Sequence, residues 1–218
     1  MTLTLAVDTT ADRGSIALAD EAGVREEVAL ESPRGFGQTI FGEIEALLQR
    51  HGVVLEEIRL FAGASGPGSF TGVRVGLATI KGLAESLGRP AVAISNLEAL
   101  GALGTGEFRA TVIDAHRGEV FAALFKAQGA PVMPEAVLRL SVFVDALGAH
   151  SVQWISPDEI LLAALPAGSN LLLAPAAMAG TIATLAIRRL AGGSAADPAI
   201  IEANYVRRSD AELFRKEA

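Results

Sequence analysis

Cysteine is absent from all 218 residues, and histidine occurs only three times. No disulfide, thiol nucleophile or cysteine-bound metal is therefore available to this chain, and the lack suits a reducing compartment. His51, His116 and His150 are scattered, without the i, i+4 pairing of a helical metal site, so no metal ligands are assigned. A Gly-x-Ser-x-Gly elbow is also missing, and Ser65 and Ser69 have no histidine near them in sequence. No catalytic residue is assigned. Charge is sparse, at 20% of residues with a net of −7, which argues against strong nucleic-acid binding by this chain alone. The N-terminus lacks a basic segment and cleavage signature, so a cytoplasmic protein is expected. Leu171 to Ile187 is an uncharged run of 17 residues, close to the lower limit for a membrane span. Pro175 and Gly180 interrupt it and alanine dominates it, so a buried helix and no membrane contact are expected.

What is present is apolar: half the chain, enough for a sizeable core in one large domain or two of about 100 residues each. Its organising stretch is Gly66-Pro67-Gly68-Ser69-Phe70-Thr71-Gly72. An apolar strand at Arg59 to Ala64 stops at the Gly-Pro-Gly turn, and Ser69 is placed to cap a helix running to about Leu87. Strand, glycine turn and helix N-terminus form a place where backbone N–H groups can meet an anion, with Gly68 and Ser69 as candidate contacts.

Projected at roughly 100° per residue, Val73, Leu77, Ile80, Ala84 and Leu87 form one stripe of this helix, flanked by Gly76 and Leu83. Val75, Ala78, Thr79, Gly82 and Ser86 lie on the other side, and Arg74, Lys81 and Glu85 share one narrow line. A helix lying on its own domain should be charged over most of its outer half. This one implies two covers, its own sheet and a second molecule, with Gly72, Gly76 and Gly82 notched for close approach. Each glycine costs about 1 kcal/mol of helix stability relative to alanine. A helix fully buried within one domain is the alternative. The preceding helix, Gln38 to Arg50, carries a core stripe of Phe36, Ile40, Ile44 and Leu47, and a second stripe of Phe41 and Leu48. The candidate partner surface is thus Phe41, Leu48, Gly72, Val75, Gly76, Thr79, Gly82 and Leu83.

Strands at Leu3 to Val7, Ser15 to Ala19 and Arg25 to Leu30 form a meander around Asp8 and a turn containing Gly14. The unit recurs at Ala110 to Asp114, with a turn through Gly118 into Glu119 to Lys126, its aspartate 106 positions after Asp8. The division expected is 1–104 and 105–218. Ser141 to Gly168 resists assignment, Leu171 to Leu173 reads as a strand and Ala176 to Leu190 as a helix. The tail from Asn204 is expected to be mobile.

The block Gly66-Pro-Gly-Ser-Phe-Thr-Gly-Val-Arg-Val-Gly-Leu-Ala, with Lys81-Gly-Leu-Ala, resembles the signature of the TsaB (YeaZ) family. Asp8-Thr9-Thr10, Ile113-Asp-Ala-His-Arg-Gly-Glu-Val-Phe and Tyr205-Val-Arg are similar to it as well. Phe36 and Gly37 replace a polar His-Ser/Thr pair, and Ala203 a proline, so interface details differ. The resemblance implies an α/β actin/Hsp70/sugar-kinase-like (ASKHA) fold of two ribonuclease-H-like lobes. It implies a non-catalytic subunit in making N6-threonylcarbamoyladenosine at position 37 of tRNAs that read codons beginning with A. The transfer is done by a paralogue, TsaD, paired through the two N-terminal helices, and an ATPase, TsaE, joins them. By the same resemblance ATP and metal are expected on those partners, and tRNA is expected to meet this chain only through the complex. The same helices can make a homodimer when the partner is absent.

Readings with chemistry of its own are weaker. Gly63 to Ser69 approaches a phosphate loop but lacks its lysine, and Gly66-x-Gly68-x-x-x-Gly72 has the wrong spacing for a dinucleotide fingerprint. Asp8 and Asp114 are candidates to hold Mg2+ near a nucleotide phosphate, but capping of each one's own turn is the favoured reading. Asp8 precedes Thr-Thr rather than the Gly-Thr of sugar kinases. An independent nucleotide-binding enzyme of the sugar-kinase type is the alternative function; a peptidase ranks third.

Overall fold

The computed structural model describes residues 1–31, 35–193 and 197–206. The chain forms two compact units, Met1–Ala99 with Pro175–Ala203, and Leu100–Ala174 with the segment from Asn204. A linear division at 104/105 leaves out the return of Pro175–Ala203 to the first unit. Arg207 and Arg208 of the expected mobile tail lie outside the described residues.

In the first unit, β1 (Thr4–Asp8), β2 (Arg13–Asp20) and β3 (Gly23–Glu31) form an antiparallel meander. β4 (Leu60–Ala64) runs parallel to β1, and β5 (Ala91–Ile94) parallel to β4, giving the order β3-β2-β1-β4-β5. All five residues of β1 are buried, as its central position requires. Side chains alternate across the sheet. Leu3, Leu5 and Val7 enter a core shared with α1 (Ile40–Arg50) and α2 (Phe70–Leu87). Thr4, Ala6 and Asp8 turn to the other face, where α6 (Ala179–Ala191) lies across β1, β2 and β4. Ala6 stands between Ala17 and Ala62 on that face, so Ala179, Ala183 and Ala186 of α6 have small side chains to sit against. The Ser15 hydroxyl accepts from the N–H groups of Met178 and Ala179, and Glu27 accepts from Gly180, which satisfies the start of α6. Toward its end Arg189 donates to the carbonyl of Ala93 and pairs with Glu98 of α3 (Asn96–Leu103).

In the second unit, β6 (Phe108–Asp114), β7 (Glu119–Lys126) and β8 (Pro131–Arg139) repeat the meander. β9 (Val152–Ser156) is parallel to β6 and β10 (Asn170–Leu173) to β9. Read from the meander, both sheets run third, second, first, fourth, fifth strand, so the ribonuclease-H-like order occurs twice. The repeated strand–Asp–turn unit is the opening of each sheet. The stretch that resisted assignment holds α4 (Leu140–Leu147), β9 and α5 (Glu159–Ala163), whose Phe143, Trp154 and Leu162 close this unit's core. Phe143 and Trp154 meet edge to face, 5.8 Å between centroids.

Candidate partner-binding surface and the Asp8 turn

α2 begins where Ser69 caps it, its hydroxyl accepting from the Gly72 N–H at 3.3 Å, and ends at Gly88 in the left-handed region, φ 60°. Its inner side is not as expected from sequence. A Cβ on Gly72 would stand 1.9 Å from the backbone oxygen of Thr9, and one on Gly76 would stand 2.7 Å from the Thr9 hydroxyl. The close approach these two glycines permit is to their own unit, because the β1–β2 turn crosses directly over the helix start. The Thr9 hydroxyl donates to the Gly72 carbonyl at 2.7 Å and fixes that crossing. Thr79 is also turned inward, 6% exposed, its hydroxyl on the Val75 carbonyl. In α1 the second stripe divides. Leu48 is 5% exposed within the core, whereas Phe41 is 56% exposed. Gly72, Gly76, Thr79 and Leu48 are thereby corrected from surface to interior.

Phe41, Val75, Gly82 and Leu83 remain at the surface, wholly or in part. Among the described residues no heavy atom lies within 4 Å of a Cβ added at Gly82, so none of them requires a glycine there. Around α2 it is joined by exposed Thr71, Ala78 and Ser86. The outer arc from Ala78 to Ser86 carries no charge; Arg74 and Glu85 stay on its border. Ala78 and Ser86 were legible from the projection; Thr71 sits in the first turn, where the glycine loop obscured it. Arg74 lies over the Phe70 ring, 3.6 Å from its centroid, which holds that cation to the rim.

Beside the start of α2, a groove of about 750 Å³ is lined by Thr9, Asp12, Arg13, Gln38, Ser69 and Thr71 among others. Asp8, at the end of β1 just before Thr9, is 4% exposed. Its Oδ1 accepts from the Thr10 N–H at 2.9 Å and the Thr10 hydroxyl at 2.6 Å. Asn96 donates to that hydroxyl at 2.6 Å and accepts from the Gly66 N–H at 3.1 Å, while Ser69 N–H donates to the Thr10 carbonyl at 2.7 Å. The Asp8 turn and the Gly66–Ser69 loop are thus one hydrogen-bonded frame, closed tightly enough that a Cβ on Gly68 would meet the Thr10 oxygen at 2.5 Å. Two loop N–H groups that an anion would use, those of Gly66 and Ser69, already have protein acceptors. Burial pushes the Asp8 carboxyl above its usual range, against the pull of its bonds to Thr10. Asp114 repeats the turn in the open: its Oδ1 accepts from the His116 N–H, and its other oxygen is 3.0 Å from the His116 ring.

Each histidine has a local partner: Glu26 for His51, Asp114 for His116, and the Leu147 carbonyl for His150. Among the described residues no group of three or more His, Cys, Asp or Glu stands ready to hold a metal, and no helix is long and apolar enough to cross a membrane.

Comparison with known proteins agrees with this architecture. The family described as TsaD, tRNA N6-adenosine threonylcarbamoyltransferase, matches residues 23–154. The tRNA threonylcarbamoyladenosine biosynthesis protein TsaB of Escherichia coli is 31% identical over 160 residues, covering 70% of this chain and 69% of that one. The Bacillus subtilis TsaB is 30% identical over 148 residues, covering 66% and 65%. By contrast, the tRNA N6-adenosine threonylcarbamoyltransferase of Erythrobacter litoralis matches over only 28% of its own length, at 36% identity over 43% of this chain. The solved structure of YeaZ from Pseudomonas aeruginosa superposes with a TM-score of 0.79 at 28% identity, covering 94% of this chain and all of that one. The chain belongs to the TsaB (YeaZ) family of tRNA threonylcarbamoyladenosine biosynthesis proteins.

Proposed function

We propose that this protein is the non-catalytic subunit of a tRNA threonylcarbamoyltransferase assembly. It pairs with a TsaD-like catalytic paralogue and holds it in its competent state for threonylcarbamoyl transfer to adenosine 37 of tRNAs reading codons that begin with A. A partner that binds one conformation only stabilises that conformation by mass action, and needs to donate no residue to the chemistry. The observation that carries this reading is the uncharged outer arc of α2, with Gly82 open at its centre and Phe41 exposed on α1. Neither sheet nor α1 core explains that composition, whereas a second helix laid against it does. A TsaE-like ATPase completes the assembly, ATP and metal reside on the partners, and tRNA is held through the complex in the cytoplasm. A second copy of this chain occupies the same arc when the paralogue is absent.

The test is reconstitution: this chain, its TsaD-like paralogue, the ATPase and tRNA, with each protein omitted in turn. Modification should vanish without this chain and return when it is restored. Full modification in its absence would overturn the proposal. Tight Mg2+-dependent ATP binding by the isolated chain would favour the kinase-like alternative.

A further inference from the structure

Lys81 stands on the charged line of α2, yet its ammonium is not left to solvent. It donates to the carbonyls of Ala199 and Ile201, both at 3.1 Å. These belong to a strap, residues 197–203, which leaves α6 and runs back along α2 in the first unit. Among the described residues its further anchors are these. It has one 3₁₀ turn, Pro198–Ile200, capped by Asp197, whose carboxylate accepts from the Ala199 N–H at 2.9 Å. It has one large side chain in the core, Ile201 at 7% exposure, with Ala203 packed partly beside it, while Ile200 is 68% exposed. Two carbonyls two residues apart converging on one ammonium set the register of a segment whose described regular structure is a single 3₁₀ turn, and a charged donor makes each bond stronger than a neutral pair.

Lys81 is next to Gly82, about 100° around the helix. The strap therefore borders the uncharged arc without covering it. If the strap lifts, Ile201 and Ala203 leave the core, and the surface beside that arc changes. We infer that Lys81 is a latch holding the 197–203 strap on α2, and that strap docking and pairing through α2 are coupled; the coupling, unlike the latch, rests on the pairing reading above. Coupling of this kind is reciprocal, so a bound partner stabilises the docked strap by as much as a docked strap favours pairing.

The test is hydrogen exchange on the full-length chain, alone and with its TsaD-like paralogue, in wild type and Lys81→Met, which keeps the aliphatic stem and removes the donors. Exchange in the strap should rise about tenfold in Lys81→Met while β1 and β4 stay protected, as expected for a local opening. Pairing should weaken several-fold, and the partner should slow strap exchange in wild type. Strap exchange identical in the two proteins would overturn the latch. A loosened strap with unchanged pairing affinity would overturn the coupling. Failure of wild type to pair would sink the pairing reading and the coupling with it, while the exchange comparison on the isolated chain still decides the latch.

Discussion

Two glycines on one side of α2 and one on the other have opposite meanings. Gly72 and Gly76 lie under the β1–β2 turn, where a Cβ meets Thr9 at 1.9 and 2.7 Å. Gly82 lies on the outer arc, where a Cβ meets nothing within 4 Å. The inner pair is required by this polypeptide's own folding. The outer one weakens the helix with no close contact among the described residues to require it, and under the proposed reading a second molecule supplies the reason. The lesson is that a glycine-notched helix reports close approach but not by whom, and only the map of what each Cβ would meet separates the two cases.

The largest effect should come from breaking the inner side. Gly72→Val drives a side chain into the Thr9 backbone, which cannot move without dislodging the Asp8 turn, and should cost more than about 3 kcal/mol. Chemical denaturation of the isolated chain reads this directly. Gly76→Arg belongs to the same class and should unfold the first unit rather than merely block pairing. Next comes the outer side. Gly82→Ala should stabilise the isolated chain by up to about 1 kcal/mol, because only helix propensity changes. The same substitution should weaken pairing if a partner backbone closes on that point. A stabilised monomer with impaired pairing is a combination that a purely structural glycine does not produce. Phe41→Ser should leave folding intact and weaken pairing by about tenfold, the scale of losing one well-placed aromatic contact.

A further set of effects concerns the turn that the inner glycines support. With the Asp8 carboxyl raised above its ordinary 3.8, the folded protein holds that proton more tightly than the unfolded chain. Stability from this group therefore falls as pH rises from about 4 through the raised value. Asp8→Asn, which keeps an acceptor for Thr10, should be as stable as wild type or more so at pH 7, and the difference should close below pH 4. Asp8→Ala removes the acceptor from two buried donors and should cost about 1–3 kcal/mol. Both variants should change partner-supported tRNA modification only modestly. Complete loss of modification by Asp8→Asn in an intact assembly would assign that carboxylate to the chemistry instead.

The elements of the first unit were legible because their hydrophobic periods are long and clean: β4, the glycine turn and α2 lie where the pattern puts them. The strand–Asp–turn–strand unit was legible as a repeat around Asp8 and Asp114, whereas β8, which completes the second meander, was not. α4, β9 and α5 were not, because each is five to eight residues long and apolar on several sides, leaving no period to read. The boundary between β8 and α4 has no linker to read, because β8 ends at Arg139 and α4 starts at the next residue. Of the candidate surface, four residues are interior and four reach the surface. Projection finds which residues share an arc, but the crossing of Thr9 over Gly72 and the packing of Leu48 are contacts between distant segments. The Lys81 clasp on residues 199 and 201 joins positions 118 and 120 apart, and no local pattern encodes it.

The most direct measurement is the affinity of Ala78→Arg for the TsaD-like paralogue, read beside circular dichroism and denaturation of the variant alone. Ala78 is exposed on the uncharged arc, so the arginine has room in the monomer and should leave its fold and stability within error of wild type. In a pair, the same guanidinium is buried without a partner charge, and affinity should fall by at least about 100-fold. A folded variant that pairs with wild-type affinity would contradict the assignment of this arc as the pairing surface.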